Sequence, residues 1–148
     1  MNNLELKTIE VEGKVIPVTD SREVALKTGK EHKQLLKDVR KYIDFLNEGN
    51  FSPVDFFIED NYLDSKGEKR PCYQLTKQGC EMVANKMTGK KGVLFTATYV
   101  QAFNQMQEQL NLGQEQKAIE GLNKMVEDMQ KNLIEQKETI EEYKSMCK

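Results

Sequence analysis

Histidine is nearly absent from this chain: His32 is the only one in 148 residues. A Ser-His-Asp triad or a histidine-rich metal site would have to be built on that residue alone. Cysteine is scarce and odd in number, with Cys72, Cys80 and Cys147. A disulfide framework is therefore not expected, and reduced thiols in a cytoplasm fit best. Cys72 and Cys80 are too widely spaced for a zinc knuckle and have no second pair, so they read as small buried apolar residues. No apolar run approaches the ~18 residues of a membrane span; the longest are of the Val93-Leu94-Phe95 kind. With a mean hydropathy of −0.69, no membrane association is expected. The opening Met-Asn-Asn-Leu-Glu lacks the basic-then-apolar pattern of a signal peptide.

Two apparent chemical motifs also fail on inspection. Thr88-Gly89-Lys90-Lys91-Gly92 looks like a phosphate loop. Yet Ala84 stands where its first glycine belongs, and Lys91 follows Lys90 where Ser or Thr is needed. Asp55, Glu59, Asp60 and Asp64 fall on a strand and turn without forming a catalytic dyad, and read as a solvated acidic face. No enzyme, metal or cofactor is expected.

What is present is segregated charge. The net charge is −2, which by itself argues against a nucleic-acid binder. Residues 22–41, however, hold seven cations against three acids. Residues 42–65 hold six acids and no cation, and residues 66–91 hold seven cations against two acids. Two basic islands flank an acidic one.

Periodicity and caps supply the elements. Leu4 to Val18 predicts a short hairpin turning at Gly13. Asp20 or Ser21 caps a short helix through Thr28, ended by Gly29. A longer helix over about 31–46 stacks Leu35, Val39, Ile43 and Leu46 on one face. Two strands, 56–62 and 72–75, enclose a polar tip. Thr76 caps a helix with Cys80, Val83, Ala84 and Met87 on its apolar face. A further helix over about 91–110 carries Phe95, Tyr99, Phe103, Met106 and Leu110, and Gly113 marks a joint.

The strongest local pattern is a helix-turn-helix. Ala25 is the small residue where two helices cross, Gly29 tolerates the turn, and Leu35 and Val39 face inward. His32, Lys33, Lys37, Arg40 and Lys41 then point outward, as phosphate attraction and base reading in a major groove require. The alternative is a plain helical corner with a solvated lysine face. The hairpin that follows carries Lys66, Lys69 and Arg70 at its tip. Helix-turn-helix plus hairpin is the layout of a winged helix, whose tip reaches the sugar-phosphate backbone. Taken alone, that tip would be a solubilising loop.

Beyond Gly113 the apolar spacing alternates between three and four. Ile119, Leu122, Val126, Met129, Leu133, Ile140 and Tyr143 form the seam, with Cys147 at its end and Gln136 its polar exception. So narrow a stripe, β-branched at several a positions, matches a parallel two-stranded coiled coil and thus a homodimer or higher homo-oligomer. A single amphipathic helix lying back on the domain is the alternative.

These residues also carry a family resemblance. Ser21-Arg22-Glu23-Val24-Ala25 and the run Gly29 to Val39 resemble the phage regulatory family called Rha. The match continues through Phe57-Ile58-Glu59-Asp60-Asn61-Tyr62, Gly67 to Tyr73, Leu75-Thr76-Lys77-Gln78-Gly79, Thr88 to Lys91 and Tyr99 to Asn104. It covers roughly residues 18–107, and the ordered series of motifs makes it fairly specific. The chain departs from the pattern at Cys72, Cys80, Gly92 and Thr96-Ala97-Thr98. The resemblance implies a temperate-phage regulator or antirepressor in a bacterial host cytoplasm.

The expectation is an α+β protein with a winged-helix-like domain over 1–110 and a coiled-coil dimerisation helix over 113–148. It would be a phage or prophage transcriptional regulator binding double-stranded DNA as a dimer. The competing expectation is an antirepressor that captures a phage repressor protein, with the acidic stretch 42–65 meeting a basic partner surface.

Overall fold

In the computed structural model, residues 3–146 are described; Cys147, the last position of the heptad, lies outside them. The chain is α+β, with a curled four-stranded antiparallel sheet and a long C-terminal helix. Two compact units divide it, Met1–Gln107 and Glu108–Lys148.

The first hairpin joins β1 (Lys7–Val11) to β2 (Lys14–Asp20). Its two turn residues, Glu12 and Gly13, have φ of 51° and 80°, both positive as a type I′ turn requires. Asp20 ends β2 and caps α1 (Ser21–Thr28), its carboxylate accepting the Arg22 N–H at 2.8 Å. Gly29 follows in the left-handed region at φ 73°, and the Lys30 N–H closes the turn onto the Ala25 carbonyl at 3.0 Å. Helix α2 (His32–Glu48) begins three residues after α1 ends. A β-carbon at position 29 has room, its nearest neighbour being Lys91 Nζ at 3.5 Å. The cost of a side chain there is backbone strain, about 1–2 kcal/mol. Gly29→Ala is accordingly expected to lower stability by about that amount in urea unfolding; an unchanged midpoint would show that the turn can relax.

A 3₁₀ turn at Pro53–Asp55 leads into β3 (Phe57–Leu63), which pairs along its whole length with β4 (Lys69–Leu75). The strand order is β1-β2-β4-β3. The two hairpins meet only at Thr19↔Leu75 and Asp20↔Gln74, and this narrow junction joins two well-paired ribbons into one curled sheet. Thr76 caps α3 (Lys77–Asn85), its Oγ1 accepting the Gly79 N–H at 3.2 Å. Helix α4 is assigned over Gly89–Met146. It continues through Gly113, where sequence predicts a joint; one glycine in a helix interior costs only about 1 kcal/mol.

The core of the first unit gathers Val24 and Ala25 from α1 with Leu35, Leu36, Val39 and Leu46 from α2. It is completed by Phe57, Tyr73 and Leu75 from the sheet and Phe95, Tyr99 and Phe103 from α4. Of the predicted apolar face of α2, Leu35, Val39 and Leu46 are buried and Ile43 is partly buried against the core, and Ala25 of α1 is buried as the crossing residue. Cys72 and Cys80 are buried free thiols. Burial pushes the Cys72 thiol up to about 11 and that of Cys80 higher still, so neither is a reactive thiolate near neutral pH.

Candidate nucleic-acid interface

Helix α2 presents two faces because its apolar residues recur at helical spacing. Burying Leu35, Leu36, Val39 and Leu46 leaves Lys33, Lys37, Arg40 and Lys41 together on the solvent side, all exposed. The exposed Asp44 follows Arg40 by four positions on the same face, while Asp38, on the flank of this stripe, is turned sideways. Its carboxylate meets Lys30 Nζ at 3.3 Å and accepts from Gln34 Nε2 at 3.1 Å. Lys41 Nζ stands 6.0 Å from the Phe45 ring. Among the described residues, Lys33, Lys37 and Arg40 make no ion pair.

The tip of the second hairpin is organised by an acid that the charge pattern alone assigns to a solvated face. Asp64 Oδ1 accepts from the backbone N–H groups of Lys66 and Glu68, both at 2.9 Å, and Oδ2 takes Arg70 Nε at 2.9 Å. These bonds, led by the Glu68 N–H, hold the Asp64 carboxyl below its usual range. Arg70 also reaches Glu68 at 3.2 Å, so it belongs to the tip's internal bonding. Lys66 and Lys69 remain exposed and without an ion pair among the described residues.

A polar cluster ties helix α2 to this hairpin. His32 begins α2, and its Nε2 lies 2.8 Å from the Ser21 hydroxyl, which also accepts the Tyr73 backbone N–H at 3.0 Å. The Tyr62 ring meets the imidazole edge-on, with centroids 6.0 Å apart. The Arg22 guanidinium sits 4.0 Å over the same Tyr62 ring and is gripped by both oxygens of Asp20, at 2.9 and 3.0 Å. Beneath them the buried Gln74 amide donates to Asp20 at 3.3 Å and to Asp60 at 2.8 Å. Two carboxylates facing one amide fix which way it points, since only its nitrogen can donate.

The electrostatics follow from these contacts. Burial pushes the Asp20 carboxyl up, but the hydrogen bonds and charge of Arg22 outweigh it and leave the group below its ordinary value. His32 is shifted down from 6.5, chiefly by burial and also by Arg22, with Asp20 opposing.

Sequence reasoning finds the cationic stripe but not this cluster. A glutamine on a strand reads as exposed, and Ser21 reads only as a cap. Tyr62 and Arg22 stand 40 positions apart with no periodic relation. Among the described residues no group of three or more His, Cys, Asp or Glu side chains is placed to hold a metal. Among the described residues no helix is long and apolar enough to cross a membrane.

The second unit is helical along its described residues and exposed from Asn111 to Met146. Its apolar positions Ile119, Leu122, Val126, Met129, Leu133, Ile140 and Tyr143 are each 51–69% exposed. Met125 and Ile134 lie beside them, 62% and 59% exposed.

A two-helix corner with a basic outer stripe, buttressed by a hairpin, makes the first unit an α+β module with a cationic helix face. The chain belongs to the phage regulatory protein Rha family, which matches residues 19–108. It is 46% identical over 105 residues to the "SPbeta prophage-derived putative antirepressor protein YoqD" of Bacillus subtilis, a match spanning 71% of this chain and 41% of that protein. It is also 32% identical over 114 residues to an uncharacterized protein of Haemophilus influenzae, covering 72% of this chain and 65% of the relative. The chain thus spans less than two thirds of either relative's length. No solved structure matches it.

Proposed function

We propose that this chain is a phage or prophage transcriptional regulator that binds double-stranded DNA as a dimer in the bacterial host cytoplasm. In this reading α1 and α2 are the helix-turn-helix of a winged-helix domain, and hairpin β3–β4 is its wing. Helix α2 enters the major groove with Lys33, Lys37, Arg40 and Lys41, while Lys66 and Lys69 engage the sugar-phosphate backbone from a tip that Arg70 braces. The reading assigns no catalytic, metal or cofactor role to any residue.

The observation that carries it is the cationic stripe on α2. Four exposed cations share one face of a helix whose opposite face is locked in the core, outnumbering the exposed Asp44 on that face, while Asp38 on its flank is paired with Lys30. Dimerisation through the 119–143 seam would join two half-sites, each too weakly held on its own at physiological salt.

A gel shift across the phage's own control regions tests the assignment. Lys37→Ala with Arg40→Ala is expected to weaken binding by about 1–3 kcal/mol per lost contact. If both contact phosphates, the salt slope flattens by about 1.8. Unchanged affinity and slope would remove α2 from the interface.

The second reading is an antirepressor that inactivates a phage repressor by protein contact. A relative with 46% identity carries that description, and Asp44, Glu48, Asp55 and Glu59 are exposed in the acidic stretch. A pull-down with the cognate repressor, run beside the gel shift, separates the two. Repressor capture without any DNA shift would favour this second reading.

A further inference from the structure

Ser21 is fully buried, with 0% of its surface exposed, and its hydroxyl meets two partners. The Tyr73 backbone N–H can only donate to it. A hydroxyl has one proton, and the remaining partner is His32 Nε2 at 2.8 Å. The oxygen has room to accept from an Nε2–H as well, but its own proton would then meet no acceptor among the described contacts, so full pairing in this buried site requires a bare Nε2 and the neutral Nδ1–H tautomer. One ring therefore touches α1 through Ser21 and β3 through Tyr62, while Ser21 itself is bonded to β4.

We infer that His32 is a positioning residue: in its neutral Nδ1–H form it sets the start of α2 against hairpin β3–β4, and its protonation loosens that register. The binding consequence rests on the DNA-binding reading above; the tautomer and the register do not.

Protonation puts an N–H on Nε2, directed at an oxygen that already accepts from Tyr73. The Ser21 O–H must then turn away within a buried site, losing its acceptor. The new positive charge also appears beside Arg22. The groups facing the ring are Asp20 from β2, which favours the charged form, Arg22 from α1, which opposes it, and the Tyr62 phenol from β3. Glu31 and Lys33 flank it in its own segment. Burial is the largest influence, and the balance lowers proton affinity below that of a free histidine. The folded form therefore takes up this proton less readily than the unfolded chain. No penalty exists above about pH 6.5, and it grows as pH falls below that value.

The sign separates positioning from direct contact. A histidine lying on a phosphate would bind DNA more tightly as it gained charge; a positioning histidine weakens binding on acidification.

Because His32 is the chain's only histidine, imidazole nitrogen–carbon correlation spectra of the full chain report on it alone. Between about pH 8 and about pH 5 the expected result is the Nδ1–H tautomer at high pH and a midpoint below 6.5. The Tyr73 amide should shift with the same midpoint. A labelled short duplex from a random-sequence pool, at low salt, serves as the binding probe. Its affinity should fall about three- to tenfold over that range. His32→Gln, whose amide oxygen can accept from Ser21, should keep most of the affinity and lose the pH dependence. His32→Ala should bind more weakly at every pH, with circular dichroism reporting whether it folds.

An Nε2–H tautomer, a midpoint at or above that of free histidine, or a wild-type pH profile in His32→Gln would overturn the inference. So would binding that strengthens on acidification in the wild type alone, which makes His32 a phosphate contact. If no duplex binds at any pH, the DNA reading fails, while the tautomer and the Tyr73 shift still decide the role of His32.

Discussion

Gly79→Ala is expected to destabilise the first unit by about 2–4 kcal/mol, at or above the usual cost of overpacking a core. The added β-carbon would lie 2.2 Å from the Phe56 carbonyl oxygen, 3.1 Å from its carbon and 3.3 Å from the Phe57 ring. That carbonyl has little freedom to retreat. It accepts the Thr76 N–H at 3.1 Å and receives a longer 3.4 Å contact from the Thr76 hydroxyl. The same hydroxyl donates to the Asp55 carbonyl at 2.7 Å and caps Gly79. Phe57 is 2% exposed and packed in the core. Moving α3 away therefore breaks its cap, while moving the strand disturbs the core. In an open helix the same substitution gains about 1 kcal/mol; here the contact with fixed backbone wins. Urea unfolding followed by the tyrosine near-ultraviolet signal reads the loss. Gly121→Ala, with nothing within 4 Å of the new carbon, is the control expected to be neutral or stabilising. Equal midpoints for the two variants would mean that the Phe56 carbonyl yields.

Val126→Glu with Leu133→Glu is expected to turn a dimer into a monomer. In the single chain these side chains are 51% and 64% exposed. Burying each fully against a second copy contributes about 1.5–3 kcal/mol, and a carboxylate at the seam reverses that gain and repels its twin. Two substitutions near the middle of the stripe should lower dimer affinity by roughly a thousandfold or more. Light scattering on the intact chain reads the mass directly. DNA affinity should fall with it, because two half-sites would no longer be linked, while the first unit keeps its unfolding midpoint. A wild-type chain that is already monomeric would remove the coil from the mechanism.

The elements legible in the sequence are those decided by neighbours a few residues apart. Gly13 and Gly29 mark turns, Asp20 and Thr76 cap helices, and the four-residue spacing of Leu35 and Val39 picks the buried face of α2. The cationic stripe is legible for the same reason, being the complement of that face. The Asp64 tip was not. A charge count treats Asp64 as one acid among four, whereas two backbone N–H groups and Arg70 converge on it once the turn closes. This convergence also ties Arg70 into the tip, a distinction among three cations that sequence does not draw.

His32 shows where local reasoning stops. Its place at the head of α2 follows from Gly29 and the helical period. Its bond to Ser21 spans eleven positions across the corner, whereas its meeting with Tyr62 depends on the second hairpin returning beside β2, through pairings of residues more than fifty positions apart.

By itself the sequence determined most of the elements, their order, the segregation of charge and the apolar seam, because each is written in short-range spacing; the joint expected at Gly113 is instead continuous helix. Only the tertiary structure decided which polar side chains meet: Asp20, Asp60 and Gln74 in one buried network, and Ser21, His32 and Tyr62 at the joint between helix and hairpin. Chain closure brings those groups together, and no periodicity along the chain encodes that closure.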